Sequence, residues 1–514
     1  MSQTNPQAAQ SKNLVLAAMI FAVAMTFIDQ TIVSIAAPTI QQKLGLSSTG
    51  IQWAVNAYLL ALAALFAFGG RLADTVGHAK MVVIGVVMFA GSSALCGATP
   101  AGSAAEPWIV TFRVIQGAGG AIMFPAALAI VVQTFPIEQR GSALAKFFGI
   151  AGGLTAVGPI AGGYLTQWTW RSIFWINVPV ALVALVLTAK AKPRTEYRRA
   201  PVDYRGLVLV AAGVGLSIFG FEQSSIWGWH NPLVAIAIAA GAVLLVIFAR
   251  VEQRTAQPLM QVRIFSNRAF LVDNLVLGIS MLAFIPVFFF ASEYAEISLG
   301  KKSAQAGIVL LYFFIGFVVA AQIGGRMLDR GGARRPVVLG CILAAVGFYL
   351  WAGEMTHLSF SAQEGYIVLA GAGMGFMLGQ ANTDAVNRAS RLSYGEATGI
   401  TQTVRNYAAS LGFAILGTVL LSQLRSQLTA SLVKTGLSHA RAAATAASIA
   451  QLKEGSGGIA AIPSFVRSDF AHATQVVFYI MAGVMAAAAI VALRGLTPST
   501  QPAVAPEAVA LGEA

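Results

Sequence analysis

The sequence predicts an all-α membrane protein: two six-helix bundles joined by two linking helices, fourteen transmembrane helices in all. Composition is the first observation. Of 514 residues, 57% are hydrophobic and only 10% are charged, where a soluble domain carries roughly 25% charged residues. That excludes a water-soluble protein of this size, and the apolar content excludes a disordered chain or a collagen-like fibre. Second, the apolar residues gather into fourteen runs of spanning length, a membrane helix taking about 20 residues. Third, a loop sequence recurs 255 residues further on, as GRLADTVGHAK (70–80) and GRMLDRGGARR (325–335). Repeated halves on this scale mark transporter bundles.

The first run, 13–37, follows a polar stretch ending at Lys12 and contains Asp29. It is too long for the apolar core of a cleaved signal and reads as a retained span. Runs at 51–70, 81–100, 107–132, 143–166 and 172–190 complete the first bundle. Two linking runs follow at 206–223 and 232–249. The second bundle takes 269–291, 305–325, 336–353, 364–386, 397–423 and 472–493. The units are therefore 1–190, 191–268 and 269–496. Residues 424–471, rich in Ala, Ser and Gln, read as short surface helices, and the Pro- and Ala-rich tail 497–514 as disordered. Cys96 and Cys341 fall in apolar runs of separate halves and read as small core residues, not as a disulfide.

Charge gives a sidedness. With the N-terminus inside, twenty-two Lys and Arg residues fall in cytoplasmic segments, nine fall outside, and Arg113 and Arg405 lie within spans. This fits the positive-inside rule and puts both ends in the cytoplasm. The net charge of +13 then follows from basic loops facing anionic lipid, densest at KAKPRTEYRR (190–199), and calls for no nucleic acid.

Asp29 sits mid-span in AMTFIDQTIVSI, where an aspartate costs about 2.5–3.5 kcal/mol to insert. Such a residue faces a bundle interior or a wet cavity. A carboxyl that alternates between protonated and ionised forms carries a proton, whereas one held in a permanent pair only fixes helix packing; both readings stay open. Arg113, in FRVIQGAGGAIMFP, is its natural partner. Arginine keeps its proton, so it tunes a carboxylate without being the carrier. The other reading has Arg113 snorkelling to the outer surface.

Gln30, Asn56, Tyr58, Gln116 and Arg405, the last about 12 Å into its span, are the polar groups assigned to a substrate cavity. Glu222 reads as reaching water near the outer end of its span, and Asp273 as a helix cap. In the repeated loops Gly70 and Gly77 suit a tight turn, and Asp74 suits an arginine pair or a helix cap. With Gly325, Asp329 and Arg330 of the second copy they form a candidate cytoplasmic gate. GGLTAVGPIAGG (152–163) is too glycine-rich for a helix in water, but in a membrane it allows kinking and close backbone contact. Trp53, Trp108 and Trp170 suit interfacial belts.

Together these motifs resemble the major facilitator superfamily, and within it the fourteen-span drug:proton antiporters of EmrB/QacA type. The resemblance covers about residues 13–495. It rests on IDQTIVSIAAP (28–38), IQWAVNAYLL (51–60), the two loops, RVIQGAGGA (113–121), GPIAGGYL (158–165), WRSIFWINVP (170–179) and GEATGITQTVRNYAASLG (395–412). It implies alternating access between two bundles, with export driven by inward proton flow and no cofactor. Asp29 matches the family's first-span acidic position, Arg113 its fourth-span arginine, and Gly158, Pro159, Gly162 and Gly163 its antiporter motif. The chain departs from the pattern at Thr75 and His78, where arginines are usual, and at Leu154, where a glycine is usual. Glu293 and Glu296 stand where neutral residues are expected beside the outer vestibule.

The expectation is a proton-coupled exporter of amphipathic small molecules in the bacterial inner membrane, working as a monomer. Its partners are substrate, protons and the bilayer, with a periplasmic or outer-membrane export protein as a further one. A dedicated exporter of one endogenous metabolite, peptide or siderophore is the alternative. No His-rich, Cys-rich or nucleophile–base constellation points to an enzyme.

Overall fold

The computed structural model describes residues 6–136, 157–193, 203–389, 394–450 and 463–497, with isolated positions between 139 and 154. The first bundle holds α1 (Pro6–Leu44), α2 (Ser48–Val76), α3 (His78–Gly97), α4 (Ala105–Thr134), α5 (Val157–Trp168) and α6 (Ser172–Ala191, with a turn at Ile176). The linking helices are α7 (Tyr204–Trp227) and α8 (Pro232–Glu252), followed by a 3-10 turn at Val262–Ser266. The second bundle holds α9 (Arg268–Ile297), α10 (Ser303–Gly331), α11 (Arg334–Met355), α12 (Phe360–Arg388), α13 (Tyr394–Lys434) and α15 (Ser464–Gly495), with the short α14 (His439–Ala450) between the last two.

Among the described residues, twelve helices are long and apolar enough to cross a membrane. The two remaining expected spans are α5 and α12. The first half of the α5 run lies outside the described residues, and α12, 29 residues long, carries Gln, Asn, Asp and Arg toward its end. Most of the basic stretch 190–199 and nearly all of the tail 497–514 also lie outside them.

Helices overrun the apolar runs. α1 extends to Leu44, and α13 continues to Lys434, into the segment expected to form surface helices. Hydropathy marks where the membrane ends, and a helix has no reason to stop there while its backbone bonds persist in water.

The internal repeat is built into the packing. A Cβ on Gly85 of α3 would meet Gly119 O of α4 at 2.7 Å and Met123 Cβ at 2.6 Å. In the second half, a Cβ on Gly340 of α11 would meet Gly373 O of α12 at 2.6 Å and Met377 Cβ at 2.9 Å. Small residues at both crossings let the backbones touch. The repeated turns match too: Gly77 (φ 108°) and Gly332 (φ 77°) close α2 and α10 with positive φ, a region strained for residues with a Cβ. Gly70 and Gly325 are not turn residues. Both lie inside helices, which run on to Val76 and Gly331.

The two bundles meet through α1 against α9, α2 against α13 and α5 against α10, and α7 packs on the α2–α13 seam. At the end far from the repeated loops they are bonded to each other. Ser292 Oγ donates to Ile35 O (3.2 Å) and Ser48 Oγ to Ala450 O (2.9 Å). Gly417 of α13 lies so near Gln52 that a Cβ would meet its Oε1 at 2.6 Å. At the repeat-loop end, residues of both bundles and of the linking segment line a cavity of about 410 Å³.

Candidate functional site

The core of the first bundle holds a buried ion pair. Asp29 of α1 is 0% exposed and Arg113 of α4 is 1% exposed. Arg113 Nη1 donates to Asp29 Oδ2 at 2.5 Å and to Gln116 Oε1 at 2.9 Å. Gln116 Nε2 donates to Asp29 Oδ1 at 2.8 Å, which closes a ring of three side chains. Arg113 Nε donates to Ala54 O of α2 at 2.8 Å, and its guanidinium lies 4.5 Å from the Tyr58 ring centroid.

Local sequence explains this convergence. Arg113 and Gln116 are three apart on one helix face, and Gly117 lets α2 close in, since a Cβ there would meet Tyr58 O at 2.5 Å. The snorkelling reading of Arg113 is therefore overturned. It lies eight residues into α4, about 12 Å from its start, with its partners inside the bundle. A proton on Asp29 would remove the charge that holds the guanidinium and leave it with Gln116, Ala54 O and the Tyr58 ring. The state of one carboxyl thus bears on α1, α2 and α4 together.

Glycines of the antiporter motif press α5 onto the same stretch of α1. A Cβ on Gly158 would run into Thr31 Oγ1, and one on Gly162 would come within 3.0 Å of Ile32 Cγ1. Gly163 is buried, and Pro159 lies within α5.

The remaining cavity candidates divide. Gln30 is half-buried next to Asp29. Asn56, two residues from Tyr58 and so about 200° around the helix, faces away from the ion pair. Its Nδ2 donates to Glu222 Oε1 (2.8 Å) and Ser410 O (3.2 Å), while Ser410 Oγ donates to Asn56 Oδ1 (2.5 Å). All three residues are fully buried, so Glu222 does not reach water as its place in the sequence suggests. It ties the linking helix α7 to both bundles. Arg405 stays apart, half-buried on α13, with Nη1 donating to Gln402 Oε1 at 2.8 Å. Asp273 is no cap: Asn267 caps α9, its Oδ1 accepting from Ala269 N at 3.0 Å, and Asp273 is buried. Glu293 and Glu296 are buried near the far end of α9.

At the repeat-loop end, Asp74 pairs neither with an arginine nor with a helix end among the described residues. It meets His78 Nε2 at 3.1 Å, one turn on, with its side chain 46% exposed. The loop's arginine turns to the linking segment instead: Arg71 Nη2 and Nε donate to Pro258 O at 2.6 and 3.2 Å. Asp329 and Arg330 of the second copy are exposed. Phe66, Arg71, Asp74, Pro125, Met260 and Ile400 are among the residues lining the cavity, so it lies between both bundles and the linker.

The family description Major Facilitator Superfamily matches residues 19–413 of this chain. Its relatives include the tetracenomycin C resistance and export protein of Streptomyces glaucescens, 34% identical, with the alignment covering 80% of this chain and 76% of that protein. A puromycin resistance protein of Streptomyces alboniger is 32% identical over 79% of this chain and 80% of its own length. The probable actinorhodin transporter of Streptomyces coelicolor is 32% identical over 82% and 75%. Among solved structures, a bacterial homologue of the human lysosomal transporter Spinster, inward-facing and unoccupied, superposes with a TM-score of 0.58 at 18% identity, covering 94% of this chain and 96% of that one. The xylose transporter XylE of E. coli, partially occluded and inward open, gives 0.58 at 12% identity over 94% and 97%.

Proposed function

We propose that this chain, which belongs to the Major Facilitator Superfamily, exports amphipathic small molecules of the antibiotic kind in exchange for protons. Its membership and its many apolar helices make it a multi-pass membrane transporter. The names of its relatives, which are resistance and export proteins for tetracenomycin C, puromycin and cephamycin, support export of such molecules. The observation that carries proton exchange is the closed ring of Asp29, Arg113 and Gln116, the one place in the first bundle where a proton would undo a buried ion pair among the described residues.

In this reading the chain lies in the bacterial cell membrane with both termini cytoplasmic, as its basic loops favour. The fourteen-span arrangement, with α5 and α12 crossing, belongs to the same reading. The cavity at the repeat-loop end is then the cytoplasmic mouth, and Arg71 on Pro258 joins the loop of the first bundle to the linker there. Substrate enters from that side, and a proton reaching Asp29 from outside favours the opposite state. Each ligand moves the equilibrium only by binding one state better than the other.

The test is uptake into acid-loaded liposomes containing the purified protein, with a lipophilic cation and puromycin as probes. Wild type is expected to accumulate a probe only with the pH gradient. Asp29→Asn is expected to fold but to lose gradient-driven uptake, and Arg113→Lys to weaken coupling more than insertion. Full gradient-driven uptake in Asp29→Asn would sink the assignment of the carrier. Mutual competition among chemically unrelated probes separates a broad exporter from one dedicated to a single metabolite.

A further inference from the structure

Two carboxyls meet where the linking helices begin and end. Asp203 caps α7, its Oδ1 accepting from Gly206 N at 2.9 Å. Glu252 is the last residue of α8 and is 2% exposed. Gly206 marks the meeting point: a Cβ there would run into Glu252 Oε1 and lie 3.0 Å from Asp203 Oδ2. Those two oxygens therefore converge on one spot. Both are buried, and neither accepts a hydrogen bond from any donor. The other oxygen of Glu252, Oε2, accepts from Met260 N at 2.8 Å.

No cation offsets the pair. Among the described residues neither carboxyl belongs to an ion pair, and the charge that bears on Glu252 is that of Asp203. Arg205, Arg250, Arg254 and Arg263, the nearest basic residues along the described linker, are exposed, and Arg263 Nη2 donates to Gln253 O at 2.5 Å. The other two helices packed on α7 are α2 and α13. Arg71 of α2 holds Pro258 O, Asp74 holds His78, and Arg405 of α13 holds Gln402. Two ionised carboxylates can only accept, so their contact becomes a hydrogen bond when one of them carries a proton. The helix ends decide which one. The start of α7 and the Gly206 N–H favour a charged Asp203, whereas the carbonyl end of α8 disfavours a charged Glu252. A calcium ion would need six or more oxygens, and a proton needs only these two.

We propose that Glu252 holds an exchangeable proton on Oε1 and donates it to Asp203 Oδ2, forming a clasp that keeps the segment 258–261 on the cavity. The same carboxyl grips Met260 N, and Pro258, Leu259, Met260 and Gln261 all line the cavity, with Arg71 on Pro258 O. Loss of the proton leaves two like charges facing each other out of water, so Glu252 turns away and lets go of Met260 N. The segment is held at low pH and released as pH rises. Neither the proton nor the clasp depends on transport being an antiport.

The test uses the purified full-length protein with Cys96→Ala and Cys341→Ala, and a nitroxide on Gln257→Cys, an exposed position beside Pro258. The label is expected to be immobile at low pH and to become mobile as pH rises. In Glu252→Gln the carboxamide replaces the shared proton, donating to Asp203 and accepting from Met260 N, so the label should stay immobile at every pH. In Glu252→Ala the grip on Met260 N is gone, and the label should be mobile throughout. Infrared spectra read the proton itself. The difference between wild type and Glu252→Gln should contain a protonated-carboxyl band that shifts in D₂O and fades over the same pH range. Asp203→Asn, the second variant, should shift that band, because its acceptor becomes an amide. Label mobility that ignores pH and all three substitutions would overturn the clasp, and a difference spectrum without the band would overturn the proton. Immobilisation by added Ca²⁺ without such a band would give the site to a cation. Both readouts are taken without substrate, so failure of the antiporter reading is told apart from failure of this one.

Discussion

Asp29 and Arg113 are both out of water, which costs several kcal/mol for each ion, and their attraction offsets that only when the other donors and acceptors are met. Here they are met: Asp29 takes bonds from Arg113 and Gln116, and Arg113 also reaches Ala54 O and Gln116 Oε1. Removing one partner strands the other. Arg113→Met should therefore destabilise the protein by about 3–5 kcal/mol, read as a lower Tm in detergent, and Asp29→Asn in the same chain should recover most of the loss. If the two losses simply add, the residues do not act as a pair. Both residues stand out in the sequence, because a charge within an apolar run has few explanations. Glu222 and Asp273 carry the same signal and are misread as water-facing and as a cap. Position along a run gives depth in the membrane, but it does not say which neighbour a side chain faces. Ser410, which completes the Asn56–Glu222 node, gives no signal, since a serine in an apolar run is unremarkable.

Glycines decide how the elements approach one another, and they do not do so equally. The sequence groups Gly70, Gly77, Gly158 and Gly325 alike as motif residues. Among the described residues, a Cβ on Gly158 collides with Thr31, one on Gly70 meets only Pro125 Cβ at 3.6 Å, and one on Gly325 meets nothing within 4 Å. Gly158→Ala should thus force α5 away from α1 and destabilise by about 1–3 kcal/mol, with Thr31→Ala restoring part of it. Gly325→Ala, inside a helix with no described residue near the added methyl, should be neutral or stabilising by up to about 1 kcal/mol. Thermal unfolding of the three variants checks both statements, and equal losses at Gly158 and Gly325 would refute the packing argument. Where the spans lie is legible because hydropathy fixes it. Which glycine is a contact and which is a gap depends on the rotation of one helix against another, and neither composition nor spacing contains that rotation.

Taken whole, and among the described residues, the molecule is bonded between its bundles at one end and holds a cavity between them at the other. Among the described residues, the far end is held by Ser292 on Ile35, Ser48 on Ala450 and the Gln52–Gly417 approach, each between the two bundles or across their rim, with Asn56 and Ser410 bonded across the same seam further in. None of these is a strong bond: neutral hydrogen bonds contribute about 0.5–1.5 kcal/mol each, so the seam suits a surface that must open in every cycle. The 255-residue repeat in the sequence already implies two bodies of like design, while the state in which they rest is set by side chains from distant segments. If transport requires this seam to open, joining it covalently must stop transport. Cysteines placed at Gln52 and Gly417 and bridged by a short bifunctional thiol reagent should abolish gradient-driven uptake in liposomes, and a cleavable reagent should let reduction restore it. The native Cys96 and Cys341, buried like Gln52 and Gly417 themselves, are replaced by Ala so that only the introduced pair can be bridged. Either single cysteine, treated in the same way, should keep its activity. A bridged protein that transports at the wild-type rate would mean that the far end never separates, and that substrate leaves by some route other than the interface between the bundles.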